Sequence, residues 1–176
     1  MKRRMGIVVA MFAAIAMVMV MSISAFADGA MISEKAALNK ALKNAGLKKT
    51  QVKYIDVELD DDEDVYEVEF TKKKNSAEYS FDVDAYAGKI LEKSVDYKYT
   101  RNSSHKKIGK TAALKKVAKF SGISYKTVKS GSCYYDYDDG KGVYEIKFKK
   151  GSRKYEYEVL APTGKVIEYS WEVIGR

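Results

Sequence analysis

Asp82–Leu91 reads DVDAYAGKIL, and Glu158–Ile167, seventy-six positions later, reads EVLAPTGKVI. In both, an alternating apolar and polar run meets a glycine-centred turn and resumes as an apolar run. Gly88 and Gly164 permit a positive φ in the turn at no steric cost. Pro162 presets φ within the second copy. Strand, tight turn and strand in this order indicate an antiparallel hairpin, and its recurrence at a fixed offset indicates a duplicated unit.

The duplication extends outward in both directions. Ile32-Ser33-Glu34-Lys35-Ala36-Ala37-Leu38 aligns with Ile108-Gly109-Lys110-Thr111-Ala112-Ala113-Leu114 at the same offset. Val65-Tyr66-Glu67-Val68-Glu69-Phe70 aligns with Val143-Tyr144-Glu145-Ile146-Lys147-Phe148 at an offset of 78, and Tyr79 with Tyr155 restores 76. The second copy therefore gains two residues in one loop and loses two in the next, where connections tolerate change.

Each unit opens with a predicted helix. Ala37, Leu38, Ala41, Leu42 and Ala45 share one face in the first copy, with Lys40 and Lys43 outward. Ser33 is placed to cap the start and Gly46 to end it. Gly109 and Gly122 bracket the second helix, whose stripe is Ala113, Leu114, Val117 and Ala118. Strands follow. Tyr66, Val68 and Phe70 alternate with Glu67 and Glu69, and Tyr79, Phe81 and Val83 alternate with Ser80, Asp82 and Asp84. Tyr144, Ile146, Phe148, Tyr155, Tyr157 and Val159 repeat the pattern. Such alternation gives one apolar and one wet face, which antiparallel sheets allow. Val52 to Leu59, Thr127 to Tyr137, Lys89 to Tyr99 and Lys165 to Val173 read as further strands. The expected fold is α+β: two tandem units, each one helix on an antiparallel sheet of about four strands. The units occupy 28–99 and 108–176, joined by a polar linker at 100–107.

This unit resembles the PepSY domain. The resemblance rests on the opening helix with its Ala-Ala-Leu, on VYEVEF, and on Val83-Asp84-Ala85-Tyr86-Ala87-Gly88-Lys89-Ile90. The second copy answers with Val159-Leu160-Ala161-Pro162-Thr163-Gly164-Lys165-Val166, departing from the pattern at Leu160. The resemblance implies an exported, non-catalytic domain of the kind found in propeptides of secreted metallopeptidases and in cell-envelope proteins. It brings no catalytic motif to transfer.

Residues 1–27 fit that expectation. Lys2, Arg3 and Arg4 precede an apolar run from Met5 to about Ile23, and Ala25-Phe26-Ala27 offers the small-residue site of a signal peptidase, with Asp28 as the new N-terminus. An uncleaved anchor is the other reading of the same run. No second apolar segment exists, so the mature chain is expected to have no transmembrane span. Cys133 is the only cysteine, so no internal disulfide is expected, and its apolar surroundings suit a buried side chain.

The formal net charge is +8, but it is unevenly spread. Residues 32–100 hold 12 Lys/Arg against 15 Asp/Glu, whereas residues 101–176 hold 17 against 8. Export argues against nucleic acid as a partner. It leaves protein, such as a secreted peptidase, or an anionic envelope polymer or lipid.

Catalysis has little to stand on. The one histidine, His105, lies in the linker, and no nucleophile elbow, zinc motif or phosphate loop is present. No cofactor is expected. Asp60-Asp61-Asp62-Glu63-Asp64 and Asp136 to Gly140 are acidic loops between strands, and weak calcium binding there is the one cation reading the composition allows. Many of the 14 tyrosines fall on inward sheet positions. Tyr86, Tyr97, Tyr99 and Trp171 are set apart as possible contact residues. The candidate binding surface is Glu67, Glu69, Asp82 and Asp84 on the wet face of the first copy, with Lys149 and Lys150 in the basic second copy. Gly88 and Gly164 are assigned to structural turns. A free sheet edge could also accept a peptide strand.

Overall fold

The computed structural model describes residues 30–60, 62–98, 106–138 and 141–175. Residues 1–29 with the signal segment, residues 99–105 with Tyr99, His105 and most of the linker, Asp61, Asp139-Gly140 and Arg176 lie outside the described residues.

The first copy begins with helix α1, Glu34–Ala45, and a 3-10 turn, Lys49–Gln51. Four strands follow: β1 Val52–Asp60, β2 Val65–Lys72, β3 Glu78–Asp84 and β4 Ile90–Asp96. The second copy has α2, Lys110–Ser121, and a short helix α3, Tyr125–Lys129. Its strands are β5 Ser132–Asp138, β6 Lys141–Lys150, β7 Arg153–Leu160 and β8 Val166–Val173.

The helix signals act as the sequence indicates. Ser33 Oγ accepts from Ala36 N, and Gly46 takes the left-handed conformation, its N–H returning to the last turn. Ala37, Leu38, Ala41 and Leu42 are buried against the sheet. Gly109 enters α2 at a positive φ of 85°, open to glycine, and Gly122 supplies the left-handed exit.

The sheet is where expectation and structure part. Each copy does supply four antiparallel strands, but they do not form two sheets. They form one eight-stranded sheet in the order β1-β2-β3-β4-β8-β7-β6-β5. The join is an antiparallel pairing of β4 with β8, registered Glu92 to Glu172, Ser94 to Ser170 and Asp96 to Glu168. Ser94 and Ser170 are equivalent residues of the two copies, so the join has the register of a two-fold axis. The physical reason is edge satisfaction: the last strand of each unit would otherwise leave unpaired N–H and C=O groups.

The segment Thr127 to Tyr137 also differs from expectation. Its first residues lie in α3, because Ser124 Oγ accepts from Thr127 N and turns the chain helical. The strand begins only after Gly131. A side chain at Gly131 would collide with the backbone carbonyl of Lys147, at 1.9 Å.

Both helices lie on the same side of the sheet. Beneath them are two cores. The first centres on Phe81, Val68 and Val83, with stacked rings Phe70, Tyr79 and Phe81. The second centres on Ile146, Val117 and Val159, with Phe148 stacked between Tyr155 and Tyr157. Tyr169 of β8 packs against both. It makes the two cores continuous.

Candidate binding faces

The turn phrase is a structural hub in each copy. Ala85 N donates to Asp64 O, and Ala85 O accepts from Ile32 N at 2.7 Å. Ala161 repeats this with Gly142 O and Ile108 N. The alanine thus ties the helix entry to the loop at the start of β2 or β6. The tyrosine of VYE adds a clamp: Tyr66 Oη donates to Ile32 O at 2.7 Å, and Tyr144 Oη accepts from Gly109 N at 3.1 Å. Gly88 and Gly164 sit at φ +62 and +72. At Gly164 a Cβ would also meet Ile108 Cδ1 at 2.9 Å.

Asp84 belongs to that hub. Its Oδ1 accepts from Tyr86 N at 3.0 Å and Ala87 N at 2.6 Å. Leu160, at the equivalent place, has no such bonds to offer. It packs with Val143 and Ile167 in a small apolar cluster on the face away from the helices. The departure from pattern at Leu160 therefore exchanges a polar turn cap for apolar packing.

That open face carries the predicted acidic residues. Register places Glu58, Glu67, Asp82, Glu92 and Glu172 in one row across β1, β2, β3, β4 and β8. The row continues into Lys154 and Lys149 of the second copy. Glu69 stands in the next row, opposite Asp56 and Ser80. A third row holds Glu78, Asp96, Glu168, Glu158 and Glu145. The acidic face is thus not confined to the first copy. It crosses the join. A shallow depression of about 450 Å³ lies beside its edge at Glu58, Leu59, Asp60, Asp62 and Glu67.

The electrostatics are sharpest at the join. Burial, with Asp82 and Glu172 beside it, pushes the Glu92 carboxyl up to about 7. Burial, with Glu158 and Asp96 beside it, pushes Glu168 up to about 7 as well. Asp96 is raised by burial and by Glu78. Relief comes from the second copy: Lys154 Nζ reaches Glu172 at 2.9 Å and Glu156 at 3.0 Å, and Lys141 reaches Glu158 at 2.8 Å.

Lys149 and Lys150 do not form one patch. Strand alternation sends Lys149 to the open face, opposite Lys154, and Lys150 to the helix side, opposite Arg153. On the helix side Lys150 borders a cleft of about 340 Å³ with Phe120, Tyr157, Tyr169 and Trp171. Of the residues set apart as possible contacts, Tyr86 is exposed, Tyr97 is half-buried against Phe120 and Tyr169, and Trp171 is buried.

Lys93 escaped sequence reading. It is 8% exposed on the helix side of β4, and its Nζ donates to Asn44 Oδ1 at 3.2 Å. The available signal was its parity with Val95, which makes it an inward position of a strand. Burial lowers its pKa.

Burial pushes the Cys133 thiol up, away from the reactive thiolate. Asp60 Oδ1 accepts from Asp62 N and Glu63 N, so it caps its own loop. Among the described residues, no three His, Cys, Asp or Glu side chains are grouped to hold a metal ion, and no helix is long and apolar enough to cross a membrane.

The family profile of the peptidase propeptide and YPEB domain, PepSY, matches twice, at residues 31–93 and 107–169. No curated protein matches the chain. Among solved structures, the Bacillus megaterium YpeB C-terminal domain is similar at 20% identity and a TM-score of 0.45, over 80% of this chain and 63% of that one. A candidate lipoprotein from Clostridium difficile 630 is similar at 18% identity and a TM-score of 0.30, over 77% and 90%.

Proposed function

Because the chain belongs to the PepSY family, with both of its halves matched, we propose that it is an exported binding protein that restrains or assists an extracytoplasmic peptidase. Domains of this family are generally regulatory and propeptide-like rather than catalytic, and they act through other proteins. The observation that carries the reading is the doubled match to a domain named for peptidase propeptides. The two-faced sheet supports it: a continuous acidic face and a lysine-rich helical layer are surfaces for contact.

In this reading, residues 1–27 direct export and Glu67, Glu69 and Asp82 present the acidic face to the partner. Asp84 acts indirectly, by holding the turn. The test is capture from culture medium with the mature chain, followed by protease assay. A co-purifying peptidase whose rate changes at micromolar protein is expected. Absence of both capture and any rate change refutes the peptidase reading.

A second reading is favoured by one observation. Residues 30–51 and 106–131, which form the layer above the sheet, carry thirteen lysines against a single acid, Glu34. Such a layer suits an anionic wall polymer or lipid. Binding to isolated envelopes that collapses with added salt supports it, and salt-insensitive binding or none excludes it.

A further inference from the structure

Three observations converge on the helix side of the join. The first is the cleft of about 340 Å³ whose floor is Tyr157, Tyr169 and Trp171. Phe120, at the end of α2, stands over it and is 47% exposed despite edge-on contacts with Tyr97, Tyr157 and Tyr169. A large aromatic left open at the mouth of a cleft marks a contact site more than a core residue.

The second is Lys93. Its ammonium lies 5.5 Å from the centre of the Phe81 ring and 5.7 Å from that of Tyr169, the ring that also floors the cleft. Among the described residues it has no carboxylate partner, only the neutral Asn44 oxygen. A lysine buried to this degree is ordinarily paired. Its equivalent in the second copy is Tyr169 itself, so the fold does not require an amine here.

The third is the charge of the rim. Lys150 lines the cleft, and Arg153, opposite it, stacks its guanidinium 3.8 Å from the Trp171 ring centre.

We propose that this cleft, beside the Lys93 ammonium that packs on its Tyr169 ring, seats an acidic peptide segment of the protein partner. An apolar side chain enters among Phe120, Tyr157 and Trp171, a neighbouring carboxylate meets the Lys150–Arg153 rim, and a second lies toward the Lys93 ammonium, three strands from Lys150. The inference rests on the chain being a protein-binding module, and it names the surface and the chemistry recognised. Charge complementarity selects the occupant: apolar burial holds a peptide in the cleft, and the Lys150–Arg153 rim, with an amine whose hydrogen-bond partner is a neutral amide, selects acid beside the apolar residue.

The test uses the full mature chain and a fluorescein-labelled, end-blocked decapeptide alternating Glu with Leu and Phe, read by anisotropy at 0.15 M salt. The Glu-to-Gln peptide is expected to bind at least tenfold more weakly. Lys93→Met, which keeps the stem and removes the charge, is expected to weaken the acidic peptide about tenfold, and Lys150→Glu about fivefold. Lys149→Glu, one residue away on the opposite face, is expected to change binding less than twofold. Equal binding of the Glu and Gln peptides overturns the proposal, as does unaltered binding by Lys93→Met. Equal damage from Lys149→Glu and Lys150→Glu overturns it in favour of diffuse charge attraction. Polyphosphate binding with the same dependence on Lys93 overturns the peptide assignment. If Lys93→Met still captures and modulates a peptidase, this cleft is wrong while the broader function stands. If the peptide binds as expected but no peptidase is captured, the reverse holds.

Discussion

The stability of this protein should fall as pH rises from about 5 to 8. Glu92 and Glu168 are related by the two-fold register of the join, and both carboxyls are pushed up to about 7 from ordinary values of 4.5. Each faces carboxylates: Asp82, Glu172 and Glu63 around Glu92, and Glu158, Asp96 and Glu156 around Glu168, with Lys154 and Lys141 opposing. The folded state therefore holds a proton at each site more tightly than the unfolded state does. Below about pH 4.5 both states are protonated there and these groups cost nothing. Between about 4.5 and 7 the folded state binds more protons, so stability declines with rising pH, and above about 7 the decline is complete. The rise from 4.5 to about 7 corresponds to at most about 3.4 kcal/mol per group. Water reaching these half-buried carboxyls screens this to about 1–2 kcal/mol each. A combined loss of about 3 kcal/mol lowers the melting temperature by roughly 6–12 °C for a chain of this size. The assay is thermal unfolding by circular dichroism at pH 5, 6, 7 and 8, with Glu92→Gln, Glu168→Gln and the double variant. The double variant should lose most of the slope, and 1 M salt should reduce it in the parent. A flat parent profile, or an undiminished slope in the double variant, refutes the reasoning.

Other consequences can be measured. Gly164→Ala should destabilise by about 1–2 kcal/mol, because φ +72 is strained for a side chain and the new methyl group crowds Ile108; an unchanged urea midpoint would contradict this. Tyr144→Phe should cost about 1 kcal/mol by removing the acceptor for Gly109 N at the helix entry, read from the same denaturation curves. Phe81→Ala, in the middle of the first core, should cost about 3–5 kcal/mol, and a loss under 1 kcal/mol would be inconsistent with that packing. Separated repeats should behave differently in sedimentation. A second-repeat fragment can pair β8 with its own copy, aided by Lys141 and Lys154. A first-repeat fragment would place Glu63 and Glu78 at those positions and should stay monomeric.

Much of this fold is legible in the sequence. Period-two alternation decided which residues of β2, β3, β6 and β7 face the core, because burial of one sheet face leaves no other register. The glycines at 46, 88, 122 and 164 announced helix ends and turns through the conformation they alone enter freely. The join was not readable. Pairing of β4 with β8 depends on which free edges meet in space, and no local pattern encodes that. The short helix α3 was hidden because Thr127 and Val128 are β-branched and suit a strand, whereas one serine hydroxyl at position 124 decides otherwise. Lys93 was hidden because a lysine in a strand is assumed to face water. Lys149 and Lys150 read as one basic patch because they are neighbours in sequence, yet adjacency in a strand is what places them on opposite faces.

The Ser94–Ser170 pairing at the middle of the sheet has a mechanical consequence. Eight strands at about 4.8 Å spacing make a platform roughly 34 Å across, and backbone bonds at its centre hold both repeats in one fixed orientation. A partner that grips both ends meets a rigid two-point gauge. It loses no orientational freedom on aligning the second point once the first is engaged. Removing one repeat should therefore weaken attachment by far more than half of the binding free energy, and lengthening the linker should change it little, because the linker does not set the spacing. The spacing is set by the strands.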